Sequence, residues 1–227
     1  MMPPRSPTLR LRARGPLACF TRPELKVERV SYPVMTPSAA RGLLEAVLWK
    51  PAIQWRIERI HVLRPIRFLA FRRNEVGHRA VAPAAAVVRD GGAVVPYFAD
   101  DDRSQRNTLA LRDVDYLIEA RFEMTGRAGP LDNLTKFVEI FERRVLKGQC
   151  FHQPYLGCRE LDAEILPAEG APPAEDITQD LGLMLWDVEY SPRRNRPVFF
   201  QARLERGILE VPAEPEVRPE AIAGGAA

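Results

Sequence analysis

Arg64 to Arg79 (RPIRFLAFRRNEVGHR) holds five arginines, His78, Phe68 and Phe71, opposed by the single acid Glu75. Guanidinium groups make salt-sensitive phosphate contacts, and exposed aromatic rings stack on unpaired bases. This composition therefore points to a single-stranded polynucleotide. The two phenylalanines fit core positions as well, and the arginines fit a solvated loop, so the segment needs a second basic set beside it. Thr8 to Arg14 (TLRLRAR) supplies one. Its strict alternation puts Leu9, Leu11 and Ala13 on one face of a strand and Arg10, Arg12 and Arg14 on the other.

Signatures of other chemistries are missing. The chain has no P-loop, dinucleotide fingerprint, GxSxG or HExxH pattern. Cys19, Cys150 and Cys158 are too widely spaced for a CxxC unit, no His/Cys set completes a zinc site, and an odd number suggests no disulfide framework. No metal or cofactor is expected. A metal-independent ribonuclease needs a base for the 2′-hydroxyl, an acid for the leaving oxygen and a cation for the phosphorane. The three histidines are scattered: His61 falls in a strand and reads as structural, whereas His78 and His152 fall in loops where either can touch RNA.

The net charge of +3 conceals a separation. Residues 1–79 carry sixteen Lys/Arg against five Asp/Glu, and residues 80–227 carry seventeen against twenty-five. One surface is thus suited to a polyanion and another to protein or solvent. Arg-rich codon usage raises the arginine count without segregating it from the acids. No apolar run approaches the roughly 20 residues of a membrane span, and no secretory h-region is visible, so a cytoplasmic setting is expected.

Periodicity places these residues on elements. Thr8 to Arg14 reads as a strand, and Thr36 and Pro37 form an N-cap and N1 pair opening a helix to about Leu48. Ile53 to Leu63 reads as a second strand, 64–107 as irregular, and Thr108 to Met124 as a long strand. A helix from Asn133 to Lys147 closes at Gly148, and Tyr155 to Glu160 reads as a fourth strand. The order β-α-β, long connection, β-α-β predicts an α+β fold: an RRM-like (ferredoxin-like split βαβ) N-terminal domain over residues 1–160. An acidic Pro/Ala-rich connection over 161–180 opens a small antiparallel β-rich part ending at 211. Residues 212–227 read as a flexible tail.

ACFTRPELKVERVSYPVMTPSAARGLLEAVLWKPAIQW (Ala18 to Trp55) resembles the CRISPR-associated Cas family five, type I-C (Dvulg) branch, of the RAMP superfamily. The resemblance continues through IERIHVLRPIRF, RRNEVG (Arg72 to Gly77) and KGQCFHQPYLGCRE (Lys147 to Glu160). It implies an RRM-like domain with a smaller β-rich part and a place in Cascade, the complex that carries CRISPR RNA. It also implies metal-free cutting of the precursor repeat and retention of the 5′ handle. The family site is a tyrosine just before WKP with a Lys-His pair on the second helix. Here those positions are Leu48, Lys136 and Phe137, so only the lysine is retained.

The expectation is a subunit that binds the CRISPR RNA 5′ handle through Arg10, Arg12, Arg22, Lys26, Arg29, Arg67, Arg72, Arg73 and Lys136. Its implied protein partners are the Cascade backbone subunit (Cas family seven) and the large subunit (Cas family eight), with target DNA reached only through the complex. The alternatives are an endoribonuclease working through a rearranged site, with Lys136 as its electrostatic anchor, and a structural cap whose basic patch docks on an acidic protein surface.

Overall fold

The computed structural model describes residues 3–25, 27–78, 80–94, 96–190 and 195–218. Its strands and helices run β1 (Leu9–Ala18), β2 (Arg29–Val30), α1 (Pro37–Val47), β3 (Ile53–Val62), β4 (Phe68–Val76), α2 (Ala85–Arg89) and β5 (Arg103–Met124). They continue with α3 (Leu134–Leu146), β6 (Glu164–Leu166), β7 (Gln179–Glu189), β8 (Arg196–Glu205) and β9 (Ile208–Glu210). The fold is α+β, with one curled, mostly antiparallel sheet in the order β6-β1-β5-β3-β9-β8-β7. β2 and β4 pair with the N-terminal part of β5.

The alternation of β1 decides which face is core. Leu9, Leu11 and Ala13 are buried, as are their cross-strand partners Ala120, Ile118 and Tyr116. α1 starts where its sequence says it should: the Thr36 side chain accepts from the Ala39 N–H at 3.3 Å, and Pro37 follows. In α3 the cap is Asn133, whose side chain accepts from the Lys136 N–H at 2.9 Å, and Gly148 takes φ 61° just past the end. The two helices contribute Leu43, Leu44, Val47, Phe137, Phe141 and Val145 to a single core with the sheet. Its aromatic centre is Trp55, with ring centroids 5.2 Å from Phe122 and 5.0 Å from Phe141.

Two segments differ from expectation. Residues 64–107 are not irregular throughout: Phe68–Val76 pairs with Arg103–Leu111 to make a two-stranded arm, and α2 and a 3-10 turn (Ala99–Asp102) lie in the insertion between the strands. Both faces of this arm meet solvent along much of β4, so no period-two apolar pattern marks it. Tyr155 to Glu160 is not a strand either. Tyr155 makes one bridge to Asp162, and the strand lies later, at β6. Gly157 explains the turn, because its φ is 86° and a Cβ there would lie 2.1 Å from the Cys19 carbonyl oxygen.

β5 runs on past an irregularity at Asp113. Asp113 takes φ 53°, and pairing with β1 steps from Gly15↔Val114 to Leu17↔Arg112 around it. Within the segment 212–218, Val217 bridges Phe199 of β8, and the Trp186 indole donates to the Pro212 carbonyl at 2.9 Å. Among the described residues, no helix is long and apolar enough to cross a membrane.

Candidate nucleic-acid interface

Arg10, Arg12 and Arg14 emerge on the outer face of β1, as their alternation requires, but they do not emerge free. Arg12 forks onto Asp115 through Nε at 2.9 Å and Nη2 at 2.6 Å. Arg14 does the same to Glu164, at 2.6 and 3.1 Å. Arg10 lies 2.9 Å from Glu119, which also holds Arg59 at 3.0 Å. The ladder continues with Arg5 and Arg56 on Glu123, at 2.9 and 3.2 Å, and with Arg121 on Glu58. Asp115 and Glu119 are buried beneath their arginines. The bidentate, charge-assisted pairs of Arg12 and Arg14 occupy the donors that a phosphate would need. The outer sheet face is therefore a nearly neutral ion-pair ladder.

His61 belongs to the same layer, with Nε2 3.7 Å from Glu119 and no hydrogen-bond partner for that nitrogen among the described residues. Burial holds its pKa below the ordinary imidazole value, outweighing the attraction of Glu119.

A second set forms where the arm meets the body. Arg29, from β2, reaches Glu160 at 3.0 Å and Glu75 at 3.4 Å. Arg73, from β4, reaches the same two carboxylates at 2.6 and 3.0 Å. Arg106, from β5, adds a 3.8 Å approach to Glu75 and donates to the Val27 carbonyl at 3.1 Å. Three guanidiniums thus share two carboxylates, which leaves local positive charge. Burial works against ionisation of Glu160, yet its pKa still lies below the usual range because of the Arg73 hydrogen bond and the nearby cations. Arg72, one residue along the strand, turns to the other face of the arm and approaches the Asn107 side-chain oxygen at 3.4 Å.

The remaining sequence candidates lie apart. Arg22 stacks over the Tyr32 ring at 4.4 Å and approaches Glu24 at 3.5 Å. Arg67 and Arg64 line a shallow groove of about 280 Å³ with Asp113 and Glu175, and neither makes an ion pair among the described residues. Lys26 lies outside the described residues. The structure brings Arg29 and Arg73 into one cluster, with Arg72 on the arm beside them; it commits Arg10 and Arg12 to the ladder.

At the positions where the resemblance implies the family site, the first turn of α3 carries Lys136, exposed and bound to its own turn, Nζ lying 3.0 Å from Asp132. Phe137, next along, is 2 % exposed, its ring 6.3 Å from that of Phe122. Leu48 caps α1 and is fully buried, while Trp49 beside it is exposed. Neither Leu48 nor Phe137 carries a group that can transfer a proton.

His78 stands at the outer end of β4, exposed, with Nδ1 2.9 Å from Asp102. The Tyr97 hydroxyl donates to the same carboxylate at 2.6 Å. That hydrogen bond and then those from His78 hold Asp102 down to about 2. A carboxylate-oriented imidazole is an arrangement used for general base work. His152 has Nδ1 3.2 Å from the Gln153 carbonyl oxygen and its ring edge-on to Phe151 at 6.2 Å.

Sequence reasoning missed Asp115, Glu119 and Glu123 as partners of the basic stripe, although their even spacing of four along β5, which puts all three on one face, is the available signal. The Tyr97–Asp102–His78 set joins residues up to 24 positions apart and has no local signature. Among the described residues, no group of His, Cys, Asp and Glu is placed to hold a metal.

Comparison with known proteins agrees with this architecture. The chain is 47% identical over 213 residues to the CRISPR pre-crRNA endoribonuclease Cas5d of Mannheimia succiniciproducens, covering 90% of this chain and 94% of that protein. It is 45% identical over 224 residues to the protein of the same name from Thermus thermophilus, covering 91% and 92% respectively. A solved structure of a CRISPR-associated protein superposes with a TM-score of 0.69 over 96% of this chain and 99% of that one, at 21% identity, a likeness of fold. The family model described as CRISPR-associated protein (Cas5), in its Cas5d form, matches residues 8–212. The chain belongs to this Cas5 family of CRISPR-associated proteins.

Proposed function

We propose that this chain holds the 5′ handle of CRISPR RNA as a subunit of a type I-C Cascade complex in antiviral defence, and that it does not cut the repeat through the site its family resemblance implies. The observation that carries the second half is the burial of Leu48 and Phe137, hydrocarbons at the positions of the expected tyrosine and histidine. Loss of a general acid or base typically costs about 10²–10⁴-fold each. The RNA class comes from family membership and from relatives named for action on precursor CRISPR RNA.

An RRM-like, split βαβ arrangement fits the order β6-β1-β5-β3, with α1 between β1 and β3 and α3 between β5 and β6, although its last strand, at Glu164–Leu166, falls past the expected boundary at 160. RNA recognition on this platform differs from that of an aromatic-lined RRM sheet, because the outer face carries the ion-pair ladder. Handle contacts then fall to the cationic rim: Arg29, Arg72 and Arg73 at the arm, Arg64 and Arg67 beside it, and Lys136 at the start of α3. Arg22 adds to the set, and Lys26, outside the described residues, is a candidate from sequence alone. The Cascade backbone (Cas family seven) and large (Cas family eight) subunits are the protein partners of this reading. The segment 161–211 is its β-rich C-terminal part, joined to the first through β9 on β3. The chain's three free cysteines suit a reducing cytoplasm.

One observation favours a second reading, cleavage through a rearranged site: His78 is oriented by Asp102 and exposed beside the basic arm. The discriminating experiment incubates the purified chain with repeat RNA in chelator. Intact RNA with a nuclease-protected 5′ handle supports the binding reading. A cut at one position overturns it, and loss of that cut in His78→Ala assigns the base. Intact RNA without protection sinks both readings and leaves the structural cap.

A further inference from the structure

Cys19 and Cys158 lie far apart in sequence and together in space. β1 ends at Ala18, and the Cys19 N–H donates to the Leu156 carbonyl at 3.0 Å, which anchors the turn that carries Cys158. The two thiols form a small buried cluster with Ala110, flanked by Phe71 and Leu161. Thr21 Oγ1 is 3.6 Å from the sulfur of Cys19 and 4.0 Å from that of Cys158. The Cys158 sulfur is also 3.6 Å from the Cys19 carbonyl oxygen. The backbones touch here, since only the hydrogen of Gly157 fits against that carbonyl.

A pair of thiols in an apolar cluster is ordinarily inert, because burial favours the protonated form. Here a cation enters the cluster: Arg29 Nη1 is 3.2 Å from the Cys158 sulfur. The hydrogen bond from Cys19, and after it Arg29, holds the Cys158 thiol below its ordinary range, while Cys19 is pushed up by that same hydrogen bond and by burial. The third cysteine, Cys150, is half-buried and raised by desolvation, with no cation bonded to its sulfur. One chain thus contains an activated thiol, a resolving thiol beside it, and an internal control.

We propose that Cys158 is a thiol-modification site at which a hydroperoxide drives formation of a Cys19–Cys158 disulfide. The Cys158 thiolate attacks the peroxide oxygen, the O–O bond breaks, and hydroxide (from hydrogen peroxide) leaves behind a sulfenic acid. The Cys19 sulfur then attacks the Cys158 sulfur, the S–O bond breaks, and the hydroxyl departs as water with the Cys19 proton. The peroxide is reduced and the protein loses two hydrogens. The product staples the end of β1 to the turn after Tyr155, beside Arg29 and the carboxylates it holds.

The test uses the reduced full-length chain, treated with hydrogen peroxide, alkylated with iodoacetamide and mapped by mass spectrometry without reductant. The expected result is a Cys19–Cys158 linked peptide with Cys150 fully alkylated. In Cys19→Ser the sulfenic acid persists and is trapped at Cys158 by dimedone. In untreated protein at neutral pH, Cys158 alkylates faster than Cys150, and Arg29→Gln slows it about twofold, since a one-unit rise from about 6 takes the thiolate fraction from about nine-tenths to one half. A linked peptide involving Cys150, or equal alkylation of Cys150 and Cys158 in protein with native circular dichroism, overturns the proposal. So does a dimedone adduct that forms elsewhere in Cys19→Ser.

Discussion

The Trp55 indole Nε1 donates to the main-chain carbonyl of Leu48 at 3.0 Å, so the residue at which the resemblance implies a tyrosine is pinned from behind by the core's central aromatic. The side chain of Leu48 is fully buried. Leu48→Tyr must therefore either displace packed neighbours or bury an unpaired hydroxyl, costing about 1–3 kcal/mol from overpacking alone. The double variant Leu48→Tyr, Phe137→His is expected to lower the midpoint of urea unfolding without yielding repeat cleavage in chelator. Cleavage by a stably folded double variant would show that the pocket can reopen.

Phe137→Ala isolates the packing role of the second position. Its ring meets Phe122 edge-on within the core, and truncation of a buried phenylalanine costs about 3–5 kcal/mol. Denaturant unfolding should show that loss, whereas Lys136→Ala, whose ammonium is exposed on Asp132, should change stability by less than about 1 kcal/mol.

The two classes of arginine separate in a salt titration. Arg67→Gln with Arg72→Gln removes two charges that no carboxylate among the described residues occupies, and the slope of log affinity for single-stranded handle RNA against log salt should fall by about 1.4. Arg10→Gln with Arg12→Gln should leave that slope nearly unchanged. Equal slope changes in the two variants would mean that the ladder opens to RNA.

Arg12→Ala should instead be costly to the fold. Asp115 is 2% exposed, and removing its bidentate partner strands a buried charge, a loss of about 3–5 kcal/mol. Arg12→Ala, Asp115→Ala should recover part of it, and thermal unfolding of the three variants measures the coupling.

His61 sets a pH dependence. Its folded pKa is depressed, so the unfolded chain binds the proton more readily. The stability contributed by keeping it neutral is present above the unfolded value near 6.5 and is lost as pH falls through the folded value. The unfolding midpoint should therefore drop on acidification from neutral pH, and His61→Gln should flatten that part of the profile.

The sequence by itself determined β1 and both long helices, because alternation with period two and the Thr36 and Asn133 caps are local signals that packing only had to accept. It also determined that residues 48 and 137 carry no proton-transfer group, since chemistry is a property of residue type. Charge segregation marked the basic half of the chain. Tertiary structure decided which of those charges remain available. Asp115, Glu119 and Glu123 of β5 come to lie beside the arginines of β1 and β3 through cross-strand register, a relation between residues about 60–110 positions apart that no local pattern encodes. The arm at β4 was illegible because two solvated faces erase alternation. Register and long-range contact thus divided the arginines into those holding the sheet and those left facing outward, and they placed Cys19 against Cys158.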